Sequence, residues 1–151
     1  MPQDAPGGAP DPRAADDAAA DDAAAAEVYD WYKRGLELLS GGSADAAAQL
    51  LERAVEREPG SASLREAYAR ALSDARRYSL AAEQWALLVN SEPHDDYARF
   101  GLGYTRYRLG DVEGAAEHLA MAVTMRPDRD DYRRALQQAR ATLRAREERD
   151  T

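Results

Sequence analysis

The chain contains no cysteine, which excludes disulfide frameworks and thiolate metal sites together. It has two histidines, His94 and His118, and neither has a second histidine at ligand spacing. No serine sits in an arrangement that would activate it as a nucleophile. Asp128-Arg129-Asp130-Asp131 lacks the central glycine and closing glutamate of a calcium loop. Gly101-Leu102-Gly103 lacks the third glycine of a phosphate-binding loop and falls inside a helical pattern. No long apolar run is present to cross a membrane or to form a signal peptide. These absences lead us to expect no catalytic residue, metal or cofactor, no enzymatic activity, and a cytoplasmic location.

What is present is unevenly placed. Residues 1–27 hold seven acidic residues against Arg13 alone, a net charge of −6 within the whole chain's −8. The remaining residues are close to neutral, which argues against nucleic acid as a partner because a basic footprint is missing. The first dozen residues, rich in Pro and Gly, are expected to be disordered. The Ala/Asp stretch after them favours a frayed backward extension of the next helix.

From residue 28 onward the sequence repeats. Pro59, Pro93 and Pro127 are spaced by one constant period, and so are Gly35, Ala69 and Gly103. Ala47, Ala81 and Ala115 follow the same period, as do Val55, Val89 and Val123, with bulky Leu51, Trp85 and Leu119 between them. Small residues at fixed offsets and a closing proline are the signature of a repeat array. Each unit reads as two helices: 28–39 and 44–58 in the first, 96–109 and 112–125 in the third. Gly42 and Gly110 suit the left-handed residue that ends a helix. Asp95-Asp96 and the acidic run after Pro127 suit helix N-caps.

Trp31, Gly35, Ala47, Leu51, Ala54 and Pro59 fall where tetratricopeptide repeats carry these residue types, and the chain resembles that family. Ala69, Tyr78, Ala81, Trp85 and Pro93 continue the match, followed by Leu102, Gly103, Gly110, Ala115, Ala122 and Pro127. Departures are Arg65 and Arg99 in place of tryptophan, Leu88 for a small residue, and Arg106 for an apolar one. They are expected to loosen single contacts without threatening the fold. The resemblance implies an all-α, right-handed α-solenoid of antiparallel helix pairs. Its expected parts are the acidic tail 1–27, repeats at 28–61, 62–95 and 96–129, and a capping helix at 130–148. That last helix carries one apolar stripe of Tyr132, Ala135, Leu136, Ala139 and Leu143, as a polar-ended stack requires.

In such a stack the first helices of the units line a concave groove. Tyr97, Phe100, Tyr104 and Tyr107 share one helical face, and Tyr29, Tyr32, Leu36 and Leu39 form the matching stripe in the first unit. Rings at these positions suit recognition of a partner; packing against neighbouring helices and one another would place them equally well. Arg70, Arg108 and Arg134 are the nearest cations. The expected ligand is an apolar or aromatic segment of another protein with an acidic residue. Some family members clamp a chaperone's C-terminal carboxylate with cationic side chains. The equivalent positions here are Tyr32, Leu36, Ala67, Tyr97 and Gly101, so the resemblance implies no such clamp. The chain is expected to be a monomer or weak homodimer, with a self-associating structural module as the alternative to a peptide-binding adaptor.

Because the acidic tail buries almost nothing, deleting residues 1–24 should leave the melting temperature nearly unchanged. A thermal melt followed by circular dichroism checks this, and a loss of several degrees would show a packed segment.

Overall fold

The computed structural model describes residues 7–151, so the first six residues, expected to be disordered, lie outside the described residues. Seven helices follow: α1 (Pro12–Ser40), α2 (Ala44–Arg57), α3 (Ala62–Asp74), α4 (Tyr78–Ser91), α5 (Asp96–Arg108), α6 (Val112–Met125) and α7 (Asp130–Asp150). Their ends follow from local chemistry. A residue before proline is driven out of the helical region. Glu58, Glu92 and Arg126 accordingly adopt φ of −130°, −130° and −136° and close α2, α4 and α6. After α1, α3 and α5 the chain turns through Gly42, Arg76 and Gly110, with φ of 83°, 61° and 92°. Glycine takes that left-handed conformation freely, whereas arginine adopts it at a steric cost.

Helix starts are also fixed by side chains. Ser61 and Asp95 accept hydrogen bonds from the amides of Leu64 (3.3 Å) and Ala98 (3.0 Å), as N-caps do. The acidic run before α7 behaves differently from its expected capping role. Arg129 occupies the cap position without a side-chain cap bond. Asp131 instead receives the Arg129 guanidinium at 2.8 Å, and Asp128 receives that of Arg126 at 3.0 Å. The cap bond is missing because arginine, which has no acceptor, stands at the N-cap, while Asp130 and Asp131 lie inside the first turn.

The helices pack in sequence as antiparallel neighbours. In addition α1 touches α3, α3 touches α5 and α5 touches α7, while α2, α4 and α6 make no Cα approach within 8 Å of one another. The odd-numbered helices therefore form one face of an α-solenoid. Its interior is set by small residues facing large ones. Ala47, Ala81 and Ala115 are fully buried, and so, within a percent or two, are Leu51, Trp85 and Leu119. A Cβ built on Gly35 would stand 2.6 Å from Leu51 Cδ2, and one on Gly103 would stand 2.7 Å from Leu119 Cγ. Only glycine permits those approaches.

Where the repeat pattern would place tryptophan after the first unit, arginine makes a different bond. Arg65 donates to the carbonyl of Pro59 at 2.8 Å, Arg99 to that of Pro93 at 3.5 Å, and Arg133 to that of Pro127. Each guanidinium thus ties a first helix to the turn that precedes it. At Arg65 a polar tether stands where loosening was expected, whereas Arg99 reaches its carbonyl at the limit of a hydrogen bond and its Nε is buried without a partner.

α1 runs to 29 residues against 13 for α3 and α5. The Ala/Asp stretch is a continuous helix from Pro12, where Asp11 accepts from the Arg13 amide at 3.0 Å and proline occupies the first turn. Residues 13–27 are exposed apart from half-buried Ala24, and the first buried residue is Val28.

Gly101 gives the sharpest test of this packing. A Cβ there would meet Trp85 Cε2 at 2.4 Å and Cδ2 at 2.5 Å. Alanine is better than glycine in an open helix by about 1 kcal/mol. Overpacking a core typically costs about 1–3 kcal/mol. Gly101→Ala should therefore lower stability in urea titrations despite its better propensity, and Gly103→Leu should lower it further.

Candidate functional site

The odd-helix face carries a cleft of about 480 Å³ where α3, α4 and α5 meet. Cavities of roughly 300–1,000 Å³ are the size that takes small ligands or peptide side chains. Its floor begins with Trp85, which is buried and donates from Nε1 to Ser73 Oγ at 3.1 Å. Ser73 in turn donates to the Ala69 carbonyl at 2.8 Å, so the indole is fixed through α3. Gly101 allows the indole to lie directly against the backbone of α5.

From Trp85 the rings continue outward. Tyr97 meets Trp85 edge-on with centroids 5.5 Å apart. Phe100 lies 6.3 Å from Tyr97, Tyr104 lies 6.3 Å from Phe100, and Tyr78 lies 6.3 Å from Tyr104. Arg108 closes the run, its guanidinium 5.2 Å from the Tyr78 ring centre. Behind Phe100, Tyr132 of α7 stacks at 4.7 Å and donates from its hydroxyl to Asp96 Oδ2 at 2.7 Å. Six rings from four helices thus form one continuous aromatic run, in which Tyr78, Tyr97, Phe100 and Tyr104 are accessible and the buried rings of Trp85 and Tyr132 back them from within. Edge-on and offset contacts at these separations are individually worth about 0.5–1.5 kcal/mol.

The four aromatics of α5 do not share one environment. Tyr97 and Phe100 are half-buried in the cleft wall, and Tyr104 remains 38% exposed at its rim. Tyr107 turns away to α7, where its hydroxyl meets Thr142 Oγ1 at 3.0 Å. Residues three and four apart share a helix face, but α7 covers one edge of that face. Arg70 and Arg108 line the same cleft as Tyr97, Phe100 and Tyr104. Tyr29 and Tyr32 instead line a smaller hollow of about 160 Å³ with Val28 and Leu64. Leu36 packs against the core, and Arg134 is exposed on α7, outside the cleft. Of the ten residues expected to line a groove, five come together here.

Tyr78 and Arg76 also line the cleft and were not among those expected. Tyr78 occupies an aromatic position of the repeat, which gave it a structural reading. Arg76 had a signal that was available: it stands where the other units have Gly42 and Gly110.

Electrostatically the cleft is a pocket of burial rimmed by cations. Burial pushes the Tyr97 hydroxyl up from its ordinary pKa, with Arg70 opposing the shift. Burial also raises Tyr104, reinforced by Tyr78. On the Asp96 side, burial and then the hydrogen bond to Asp96 raise Tyr132. Among the described residues, Arg70, Arg76 and Arg108 form no salt bridge. Asp74 is the one acidic residue in the lining. No group of histidine, aspartate and glutamate among the described residues is placed to hold a metal ion. An aromatic surface with unpaired guanidiniums can bind planar or apolar groups that carry a carboxylate.

The family model described as "Tetratricopeptide repeat" matches residues 32–89 and 69–130. The first TPR domain of human RPAP3 superposes with a TM-score of 0.73 at 17% identity, over 81% of this chain and 96% of that one. The Sgt2 TPR domain from Aspergillus fumigatus gives 0.74 at 20% identity, over 81% and 82%. The first TPR of Spaghetti (RPAP3), bound to the HSP90 peptide SRMEEVD, gives 0.72 at 17%, over 78% and 93%. No curated protein matches the sequence. At these identities the structural likeness concerns the fold.

Tyr132→Phe tests how α7 holds the cleft wall. It keeps the ring stacked on Phe100 and removes only the hydrogen bond to Asp96. Bonds to charged groups are worth about 1.5–3 kcal/mol, so a loss of that size is expected in chemical denaturation.

Proposed function

Since this chain belongs to the tetratricopeptide-repeat family, we propose that it is a protein-interaction adaptor whose α3–α5 cleft holds a segment of a partner protein. The observation that carries this reading is the six-ring aromatic run bordered by three arginines without carboxylate partners. The four accessible rings of that run, Tyr78, Tyr97, Phe100 and Tyr104, supply apolar contact at low entropy cost, because aromatic side chains have few rotatable bonds. The guanidiniums add a bidentate match to a carboxylate. The ligand is an aromatic or apolar residue with an acidic neighbour.

The peptide-bound relative does not set this chain's specificity. Tyr32, Leu36, Ala67, Tyr97 and Gly101 stand at the positions where a carboxylate clamp would be built. None of them is cationic, so we assign the partner to a class other than chaperone C-terminal tails. The adaptor acts in the cytoplasm and performs no catalysis. Self-association is the second reading. It is favoured by Leu87 and Met121, 49% and 41% exposed at equivalent positions of α4 and α6. Light scattering over a range of concentrations separates the two readings, since a self-associating module grows in mass.

Affinity capture with mass spectrometry would name the partner, and titration calorimetry would then test the cleft. Tyr104→Ala should weaken binding by about 2 kcal/mol or more, as truncated interface anchors do. Its stability should fall less than that of a buried variant, because the ring, though in contact with Phe100 and Tyr78, is already partly exposed. Leu102→Ala should show the opposite, losing about 2–5 kcal/mol of stability from a buried site. If Tyr104→Ala binds as wild type does, the cleft is not the docking site.

A further inference from the structure

Three exposed side chains break the repeat at one place. The first is Arg76, which holds a left-handed backbone with φ 61° where the other two units have Gly42 and Gly110. The second is Leu80, in a position occupied by Ala46 and Gly114 in those units. The third is Leu109, matching Gly41 and Ala75. In each case a large residue replaces a small one, and all three remain exposed. Leu80 and Leu109 are open to solvent at 37% and 48%. Packing within the stack therefore does not call for their size, and at Arg76 the backbone opposes it.

The three residues meet in space. Leu80 at the start of α4 and Leu109 at the end of α5 line a notch of about 390 Å³ together with Arg76, Arg77, Tyr78 and Ser79. Arg76 and Tyr78 also line the aromatic cleft. The notch and the cleft thus share two walls, and Arg76 stands between an aromatic hollow on one side and an aliphatic one on the other. Neither Arg76 nor Arg77 forms a salt bridge among the described residues.

We infer that the docking surface is bipartite, and that it takes a partner segment with an aromatic anchor, an acidic centre and an aliphatic anchor. The inference rests on the cleft reading above and extends it. The aromatic anchor enters the cleft beside Tyr104. The acidic centre crosses the ridge and pairs with Arg76, which forms a carboxylate contact in a fork geometry that lysine or glycine would not supply. The aliphatic anchor then covers Leu80 and Leu109, removing both from water. Charge complementarity fixes the occupant, because the ridge and both of its flanks present arginine.

The variant that restores the repeat pattern, Arg76→Gly with Leu80→Ala and Leu109→Ala, provides the test. Glycine relieves the positive φ and the two leucines are exposed, so a thermal melt should show no loss of stability. A phage-displayed library of random peptides is selected in parallel on the full-length wild type, on this variant and on Tyr104→Ala. On the wild type, enriched peptides should carry aromatic, acidic and aliphatic positions at fixed spacing. On the pattern-restoring variant the aliphatic position should vanish while the aromatic one persists, and synthetic wild-type-selected peptides should bind it at least about tenfold more weakly. Leu109→Asp, a single exposed change that adds a repelling carboxylate, should reproduce the loss if the triple variant folds poorly. Equal motifs and affinities on wild type, triple variant and Leu109→Asp would overturn the bipartite surface and leave the cleft reading intact. Retention of the aromatic position on Tyr104→Ala, or no enrichment on wild type, would overturn both.

Discussion

Trp85 lies against α5 at a point where that helix has no Cβ. The indole fills the space beside Gly101, and its depth decides how close α4 and α5 come. From that contact the rest of the aromatic surface takes its level. Tyr97 meets the indole edge, Phe100 and Tyr104 continue along α5, and Tyr78 returns from the start of α4. A methyl group at residue 101 would lift the whole run. The equivalent contacts of Gly35 with Leu51 and Gly103 with Leu119 hold helices within a repeat pair. The Gly101 contact joins two pairs instead, which is why it shapes a surface as well as a core.

Polar tethers complement these close approaches. Three arginines one repeat apart reach the carbonyls of the three helix-ending prolines. A proline at a turn leaves its carbonyl without a helical partner, and a guanidinium can satisfy that acceptor while its stem packs along the helix. Tryptophan at the same position, as at Trp31, supplies area but no such bond to a carbonyl. The chain thus uses two chemistries for one structural position, the apolar one in the first unit and the polar one later. In the Trp31 unit an arginine still comes near, with the Arg57 guanidinium 5.3 Å from the ring centre.

Much of this organisation was legible in the sequence, because periodic small residues and prolines report steric requirements that do not depend on distant parts of the chain. Helix ends beside Gly42, Gly110, Pro59, Pro93 and Pro127 are local consequences of φ preferences. Gly101 falls outside the small-residue offsets of the repeat, so no period announces its contact with Trp85. The division of the α5 aromatics was not legible either. Spacing assigns Tyr97, Phe100, Tyr104 and Tyr107 to one face, but the position of α7 decides which part of that face stays open. α7 lies outside the repeat period, so no offset predicts that Tyr132 will stack on Phe100 or that Thr142 will meet Tyr107. The acidic run before α7 misled for a local reason: the helix begins one residue later than capping by Asp128 would require, which leaves Arg129 at the cap.

The length of α1 has a consequence for how partners approach. Antiparallel pairing puts the beginnings of all odd-numbered helices along one edge, and the turns holding Arg76, Arg77 and Leu109 along the other. From the first edge α1 projects an exposed helical arm of about 24 Å, estimated from its rise per residue. That arm carries Asp16, Asp17, Asp21, Asp22 and Glu27. Negative charge at one edge and unpaired guanidiniums at the other make the molecule an electric dipole. Within a Debye length of about 8 Å, an acidic segment meets repulsion at the arm and attraction at the arginine turns. For a partner of the proposed kind, orientation would thereby be selected during diffusion, before any side chain makes contact.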